Sequence, residues 1–139
     1  MKQATHRFSS ATRGKGLYNV SREIESWVSR QSIRTGLLTL FIPHTSASLV
    51  IQENADPDVL RDLNEFFSRV VPEGDPSYRH RSEGPDDMPA HIRSALTQTQ
   101  ISIPVENGKP VLGIWQDIYL FEHRSSPQTR NIILHLFGE

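Results

Sequence analysis

The stretch TQISIPVENGKPVLGIW, residues 99–115, decides how the chain is read. Thr99 to Val105 reads as a strand. Glu106-Asn107-Gly108-Lys109 reads as a hairpin turn, because Asn-Gly accepts the left-handed backbone that a tight turn between strands requires. Val111 to Trp115 then reads as the returning strand. Toward the C-terminus, Ile118 to His123 and Asn131 to Phe137 read as further strands.

Toward the N-terminus, helices enter between strands. Thr5 to Ser9 reads as a short first strand. Ser21 is placed as the N-cap of a helix running to about Gln31, with Ile24, Trp27 and Val28 at i, i+3 and i+4. Gly36 to Ile42 reads as a strand apolar on both faces, interrupted by Pro43. Thr45 to Gln52 alternates. Ala47, Leu49 and Ile51 take one face, and His44, Ser46, Ser48 and Val50 the other. Asp56-Pro57-Asp58 opens a second helix, whose apolar stripe is Val59, Leu60, Leu63, Phe66, Phe67 and Val70, and Pro72 ends it. Residues 72–89 hold four prolines and two glycines and read as a long loop, of a length that in compact domains is often functional. Pro89 is placed as the start of a short helix ending near Gln98. Strands dominate the end and helices sit among the earlier ones. The expectation is an α+β fold with a mainly antiparallel sheet, in one domain spanning residues 1–139.

Composition limits the function. The chain has 15 basic and 16 acidic residues, a net charge of -1, so it offers no field for a polyanion and nucleic acid is not an expected partner. It has no cysteine. Thiolate zinc sites, iron–sulfur clusters and disulfides are thereby excluded, and a transition metal would need imidazole, carboxylate or water. The opening MKQATHRFSS has no apolar core of a signal peptide, and the longest apolar run, Gly36 to Ile42, is too short to cross a bilayer. A soluble cytoplasmic protein with no membrane partner is expected.

Chemistry gathers at a few positions. Of six histidines, His6 and His135 read as packed or surface residues. His44 leads the polar ladder with Ser46 and Ser48, which suits either a lined cavity or a solvated sheet face. His91 falls near a helix start, where the dipole favours the neutral imidazole that a metal needs. Asp86 and Asp87 precede it, either compensating the dipole, orienting an imidazole, or contacting a metal or substrate directly. Histidines from a strand, a loop and a helix start can build an open three-ligand site, although their spacing forms no local motif. Glu53 and Asn54 sit at a strand-to-helix junction, with Glu53 the better general base. Trp115-Gln116-Asp117 and Glu122-His123-Arg124 form a third cluster. There His123 and Arg124 suit an anionic group or a solvated edge.

The stretches His44-Thr45-Ser46-Ala47-Ser48-Leu49, Glu53-Asn54-Ala55-Asp56-Pro57, Glu83 to Ile92, Leu112-Gly113-Ile114-Trp115-Gln116 and Glu122-His123-Arg124 closely resemble the YjbQ-like family, in the family's order and over nearly the whole chain. The resemblance implies a compact α+β sandwich, assembled as a homotrimer, with a histidine-lined metal pocket near the subunit interface. By matching motif it implies His44, His80 and His91 as ligands of a divalent metal, zinc in the first instance. Glu53, Asp87 and His123 are then the catalytic candidates. Ser46, Ser48, Asn54, Asp86, Gln116 and Arg124 are the candidates for ligand contact. The resemblance also implies a weak, secondary thiamine-phosphate synthase activity on small phosphorylated metabolites, joining a hydroxymethylpyrimidine pyrophosphate to a thiazole phosphate. A non-catalytic protein holding a metal or small anion, or a purely structural trimer, would use the same residues. Ile114 and Asp117 stand where the family pattern has Thr and Gly, and Val50 and Gln52 where it has Thr and Asn, which leaves ligand preference open.

Overall fold

The computed structural model describes residues 1–139. In chain order the elements are β1 (Lys2–Thr12), β2 (Gly16–Asn19), α1 (Ser21–Ser29), β3 (Gly36–Phe41), β4 (Ala47–Glu53), α2 (Pro57–Val70), α3 (Asp87–Leu96), β5 (Gln100–Glu106), β6 (Lys109–Pro110), β7 (Gln116–Glu122) and β8 (Gln128–Gly138). They form two sheets, one ordered β1-β8-β3-β5-β6 and the other β2-β7-β4. Every pairing is antiparallel. The architecture is therefore the expected α+β sandwich.

Alternation builds the core between the sheets. Leu38 and Leu40 of β3, Ile101, Ile103 and Val105 of β5, and Ile132, Leu134 and Leu136 of β8 face inward from the larger sheet. Ala47 and Leu49 of β4 and Ile118 and Leu120 of β7 meet them from the smaller one. Ile24, Trp27 and Val28 of α1 close the side, and all lie in one cluster of 18 buried residues. Burial of this apolar surface is the main favourable term in folding. Gly36 lies opposite Gly138 where β3 meets β8. A Cβ on Gly36 would lie 2.1 Å from the Phe137 carbonyl oxygen, so the two strands close up only because no side chain stands there.

The hairpin turn is where Asn-Gly puts it, with φ of 52° at Asn107 and 75° at Gly108. The returning strand is much shorter than expected. Pairing stops after Glu106 with Lys109 and Val105 with Pro110. In an antiparallel ladder a residue's N–H and C=O point the same way. The Val111 N–H still donates to the Pro104 carbonyl at 2.8 Å, but Pro104 and Pro110 bring no donors of their own and the pairing goes no further. Residues 111–115 run as a loop, with Ile114 and Trp115 80% and 61% exposed.

Three other expectations change. Ser21 is not the cap of α1: Val20 is, and the Ser21 hydroxyl accepts the Ile118 N–H at 2.7 Å. The Asn19 side chain takes the Ser21 N–H instead. α2 starts as expected, with Asp56 accepting the Asp58 N–H. No residue of α2 is fully buried, however, and Phe66 and Val70 of its stripe are exposed. α3 begins at Asp87 rather than Pro89. Pro89 lies inside the first turn, where its missing N–H would have had no helical partner. No helix is long and apolar enough to cross a membrane.

Candidate metal centre

The early start of α3 has a chemical consequence. Asp87 and His91 become i and i+4 on one helix face, one turn apart. The loop from residue 72 brings His80 to the same place. His80 Nε2 lies 2.6 Å and His91 Nε2 3.1 Å from one oxygen, Asp87 Oδ2. One ligand atom from each of the three residues falls within 4.8 Å of the others. The two imidazoles meet edge-on, their centroids 5.3 Å apart. Both are partly exposed, whereas Asp87 is buried.

The protons of the site follow from its partners. His91 Nδ1 lies 3.0 Å from the carbonyl oxygen of Thr45. A carbonyl only accepts, so Nδ1 carries the proton. In the neutral ring Nε2 then presents a bare lone pair to the carboxylate. Acceptor facing acceptor is unfavourable unless a proton or a metal cation lies between them. That donor set, two imidazoles and one carboxylate with their lone pairs converging, fits a divalent transition metal.

Arg124 holds the carboxylate from behind. Its Nη1 lies 3.0 Å from Asp87 Oδ1, its Nε donates to Asp86 Oδ2 at 2.9 Å, and its Nη2 donates to the Glu83 carbonyl at 2.9 Å. Asp86 Oδ2 also accepts the Ser125 N–H. Burial works to raise the Asp87 carboxyl, but the bond to His80 and the charge of Arg124 outweigh it and hold the group below its usual range. Burial likewise works to raise Asp86, and the Arg124 bond keeps it low. Glu83 Oε2 stands 3.3 Å from His80 Nε2 at the exposed rim.

The other expected site residues are placed elsewhere. His44 stands outside the group of three. Its Nε2 accepts the Asn131 N–H at 2.9 Å, so that nitrogen has no lone pair left for a metal. Burial first, and then the charge of Arg130, hold its pKa below the usual value. His123 is fully buried, with Nε2 2.9 Å from the Ser48 hydroxyl and Nδ1 without a partner. Burial, then the charges of Arg93 and Arg130, push it down to about 3. A sealed imidazole that stays neutral near neutral pH cannot exchange protons with a substrate, so the catalytic role expected for His123 is corrected. Ser48 is equally sealed, its hydroxyl taken by His123 and Thr97. Ser46 accepts from Arg130 Nη2. Arg124 and Asp86 are spent on each other rather than on an anion.

Glu53, Asn54 and Gln116 form a separate group. Glu53 Oε2 accepts the Asp56 N–H at the head of α2, and its carbonyl accepts the Tyr119 hydroxyl. Asn54 Nδ2 donates to the Ile114 carbonyl, and Gln116 Oε1 accepts the Gly113 N–H. These contacts pin the 111–115 loop. His6 stacks on Trp27, and His135 reaches Gln3 at the surface.

The reading of residue types missed Thr45, which acts through its carbonyl, and Glu83. It also gave Asp87 a catalytic role where the geometry makes it the shared carboxylate. The Asp87-x-x-x-His91 spacing was the available signal, hidden by starting the helix at Pro89.

Comparison with known proteins agrees with the fold. The model of the UPF0047 protein YjbQ-like family matches residues 6–139. UPF0047 protein sll1880 of Synechocystis sp. is 56% identical over 129 residues, 93% of this chain and 88% of that protein. UPF0047 protein YjbQ of Escherichia coli O157:H7 is 42% identical over 130 residues, 93% and 94% of the two chains. A crystal structure of a YjbQ/UPF0047 protein from Clostridium acetobutylicum superposes with a TM-score of 0.87 at 32% identity, covering 95% of this chain and 99% of that one. A Sulfolobus solfataricus structure at 21% identity shares the fold with a TM-score of 0.86 over 99% and 100% of the chains, and is described as a YbjQ-like protein of unknown function. None of these relatives is named for thiamine phosphate synthesis. The expected synthase activity is corrected accordingly: the family is one of unknown function.

Proposed function

We propose that this chain, which belongs to the UPF0047 YjbQ-like family, is a metal-site protein that holds a divalent cation between His80, Asp87 and His91. The observation that carries the reading is the His91 ring. With its Nδ1 proton committed to the Thr45 carbonyl, its Nε2 is the nitrogen turned toward Asp87 Oδ2, at 3.1 Å. Zinc is the ion to test first, since two imidazoles and a carboxylate are a zinc donor set that leaves a position open.

Each neighbouring group has a task in that arrangement. Thr45 fixes the His91 tautomer. Arg124 occupies Asp87 Oδ1 and leaves Oδ2 for the cation. Glu83, at the exposed rim beside His80, is placed to accept a proton from a bound molecule. A cation held there supplies Lewis acidity toward a carbonyl or phosphoryl oxygen and lowers the pKa of water bound to it.

Competition between chelator-treated protein and a zinc indicator tests this. His80→Ala, Asp87→Ala and His91→Ala should each weaken zinc at least about 100-fold, since even changes outside the ligand set cost up to that factor. His44→Ala should bind as the unaltered chain does. Equal affinity in all four variants would contradict the proposal.

We also propose the homotrimeric assembly. Phe41 and Phe137 lie on the face of the larger sheet that points away from the core, both exposed, and Ile114 and Trp115 project from their loop. A second subunit would cover such surface. Light scattering reads the mass directly, and a monomer at micromolar concentration would refute it.

A further inference from the structure

The segment that offers the Thr45 carbonyl to His91 also lines a separate cleft of about 410 Å³, together with Phe41, Ile42, Thr99 and Arg130. Arg130 is 5% exposed. Its Nε donates to Glu122 Oε1 at 2.8 Å, and its Nη2 to Glu122 Oε2 at 2.5 Å and to the Ser46 hydroxyl at 2.9 Å. Nη1 makes none of these bonds. A guanidinium has five N–H donors, two of them on Nη1. Nη1 is not among the side-chain nitrogens buried without a partner, so this donor edge opens toward the cleft rather than into the core.

The pairing with Glu122 does not use up this edge. Glu122 is fully buried and also accepts from the Thr12 hydroxyl and from the His123 and Arg124 N–H groups. Its charge is thus divided among five donor groups on the far side of the guanidinium from Nη1. The cleft itself contains no carboxylate. His44, on its wall, accepts the Asn131 N–H on Nε2, which leaves a neutral ring with an Nδ1–H to donate. The hydroxyls of Thr45 and Thr99 stand on exposed residues of the same wall. Every polar side chain left open in the cleft can donate, and one of them is cationic. Such a lining suits an anion and repels a metal ion, which agrees with the place of His44 outside the cation group.

We propose that this cleft binds a small oxyanion, a carboxylate or phosphate group, on Nη1 of Arg130, with the His44 Nδ1–H and the Thr45 and Thr99 hydroxyls as further donors. The site uses no residue of the His80, Asp87 and His91 group and does not depend on a metal being held there.

The test uses the full chain freed of metal with a chelator. Inorganic phosphate and acetate are titrated in turn at fixed pH while the histidine ring and threonine signals are followed by NMR. Saturable shifts at His44 and Thr99 are expected with one or both anions. Thr99→Val should weaken the anion about tenfold, the worth of one hydrogen bond to a charged group. It should leave zinc affinity unchanged. Arg130→Lys should abolish the shifts, and if that buried change prevents folding, Thr99→Val still decides. The proposal is overturned if neither anion moves His44 and Thr99, if the shifts are confined to His80 and His91, or if Thr99→Val binds as tightly as the unaltered chain.

Discussion

His91 and His123 are the same residue in two opposite settings. His91 stands on α3 with its side chain 32% exposed, its Nε2 lone pair aimed at a carboxylate that His80 also faces. His123, at the end of β7, is fully buried beside Ser48, against the Phe121 ring that the Arg93 guanidinium also covers. Around His123 lies the floor formed by Glu122, Arg130 and Ser46, where the buried carboxylate meets its donors. At the head of α3, a ring nitrogen of His80 from the preceding loop and one of His91 converge on a single carboxylate oxygen of Asp87. Surplus acceptors at a partly open site call for a cation from outside. The buried pair of Glu122 and Arg130 behind the sheet holds the fold, and of the guanidinium only the Nη1 edge remains to donate. Sorting this chain's histidines by donor and acceptor balance separates them more sharply than sequence position does.

That contrast breaks first on the floor. Removing one partner of a buried ion pair costs about 3–5 kcal/mol, because the other is left charged and unpaired. Glu122→Ala should therefore lower the stability read by urea unfolding by that amount. Where the variant is still folded, zinc affinity should be unchanged. A loss of zinc affinity in a folded variant would mean that the two regions are not separate.

Asp87→Ala is the matching break on α3. Zinc should weaken at least about 100-fold, equal to about 2.7 kcal/mol. Without metal, urea should show a smaller change in stability than Glu122→Ala does. Calorimetric titration beside urea melts would show whether the two effects part in this way.

Acid sharpens the comparison. The folded chain holds His123 at about 3 against an ordinary 6.5. Between those values the unfolded chain binds a proton that the folded chain refuses, so stability rises with pH across the window and falls on acidification. The slope is at most about 1.4 kcal/mol per pH unit from this residue. The carboxyls of Asp86, Asp87 and Glu122 are also held low, so their contributions are lost only at more acid pH, within and below the ordinary carboxylate range. Urea melts of His123→Gln should show a shallower slope between pH 6.5 and about 4.5, keeping only the part that His44 contributes. An unchanged slope would mean that His123 takes up a proton while folded.

Arg124→Ala gives the smallest effect. It frees Asp87 Oδ1 without removing a cation ligand. Loss of such an orienting contact costs about tenfold in metal affinity, readable by the same calorimetric titration.

The fold was largely legible because its strongest signals are local. Short runs of strand-forming apolar residues placed β3, β5, β7 and β8 within a few residues, and Asn107-Gly108 marked the hairpin. The failures came where two local signals compete or where long-range pairing decides. Pro89 looks like a helix start, yet a proline fits anywhere in the first turn. That two-residue displacement concealed the Asp87 and His91 pair. Ser21 has the chemistry of a cap, yet the N–H of Ile118, 97 residues away, claims its hydroxyl. At the site, His80 and His91 were named through family resemblance, and no local pattern marks His80. The Thr45 carbonyl was not legible at all, because any residue there would offer one. His44 and His123 were indistinguishable in sequence from His80 and His91, since burial and the partner of each ring nitrogen exist only after folding.

The most direct measurement is an NMR correlation of the imidazole nitrogens during zinc addition to the metal-free chain. Zinc should move Nε2 of His80 and His91 together at one equivalent, with the His91 proton staying on Nδ1 and His44 and His123 unmoved. Shifts at His44 in place of His80 and His91, or no shift at any histidine, would contradict a cation site built on His80, Asp87 and His91.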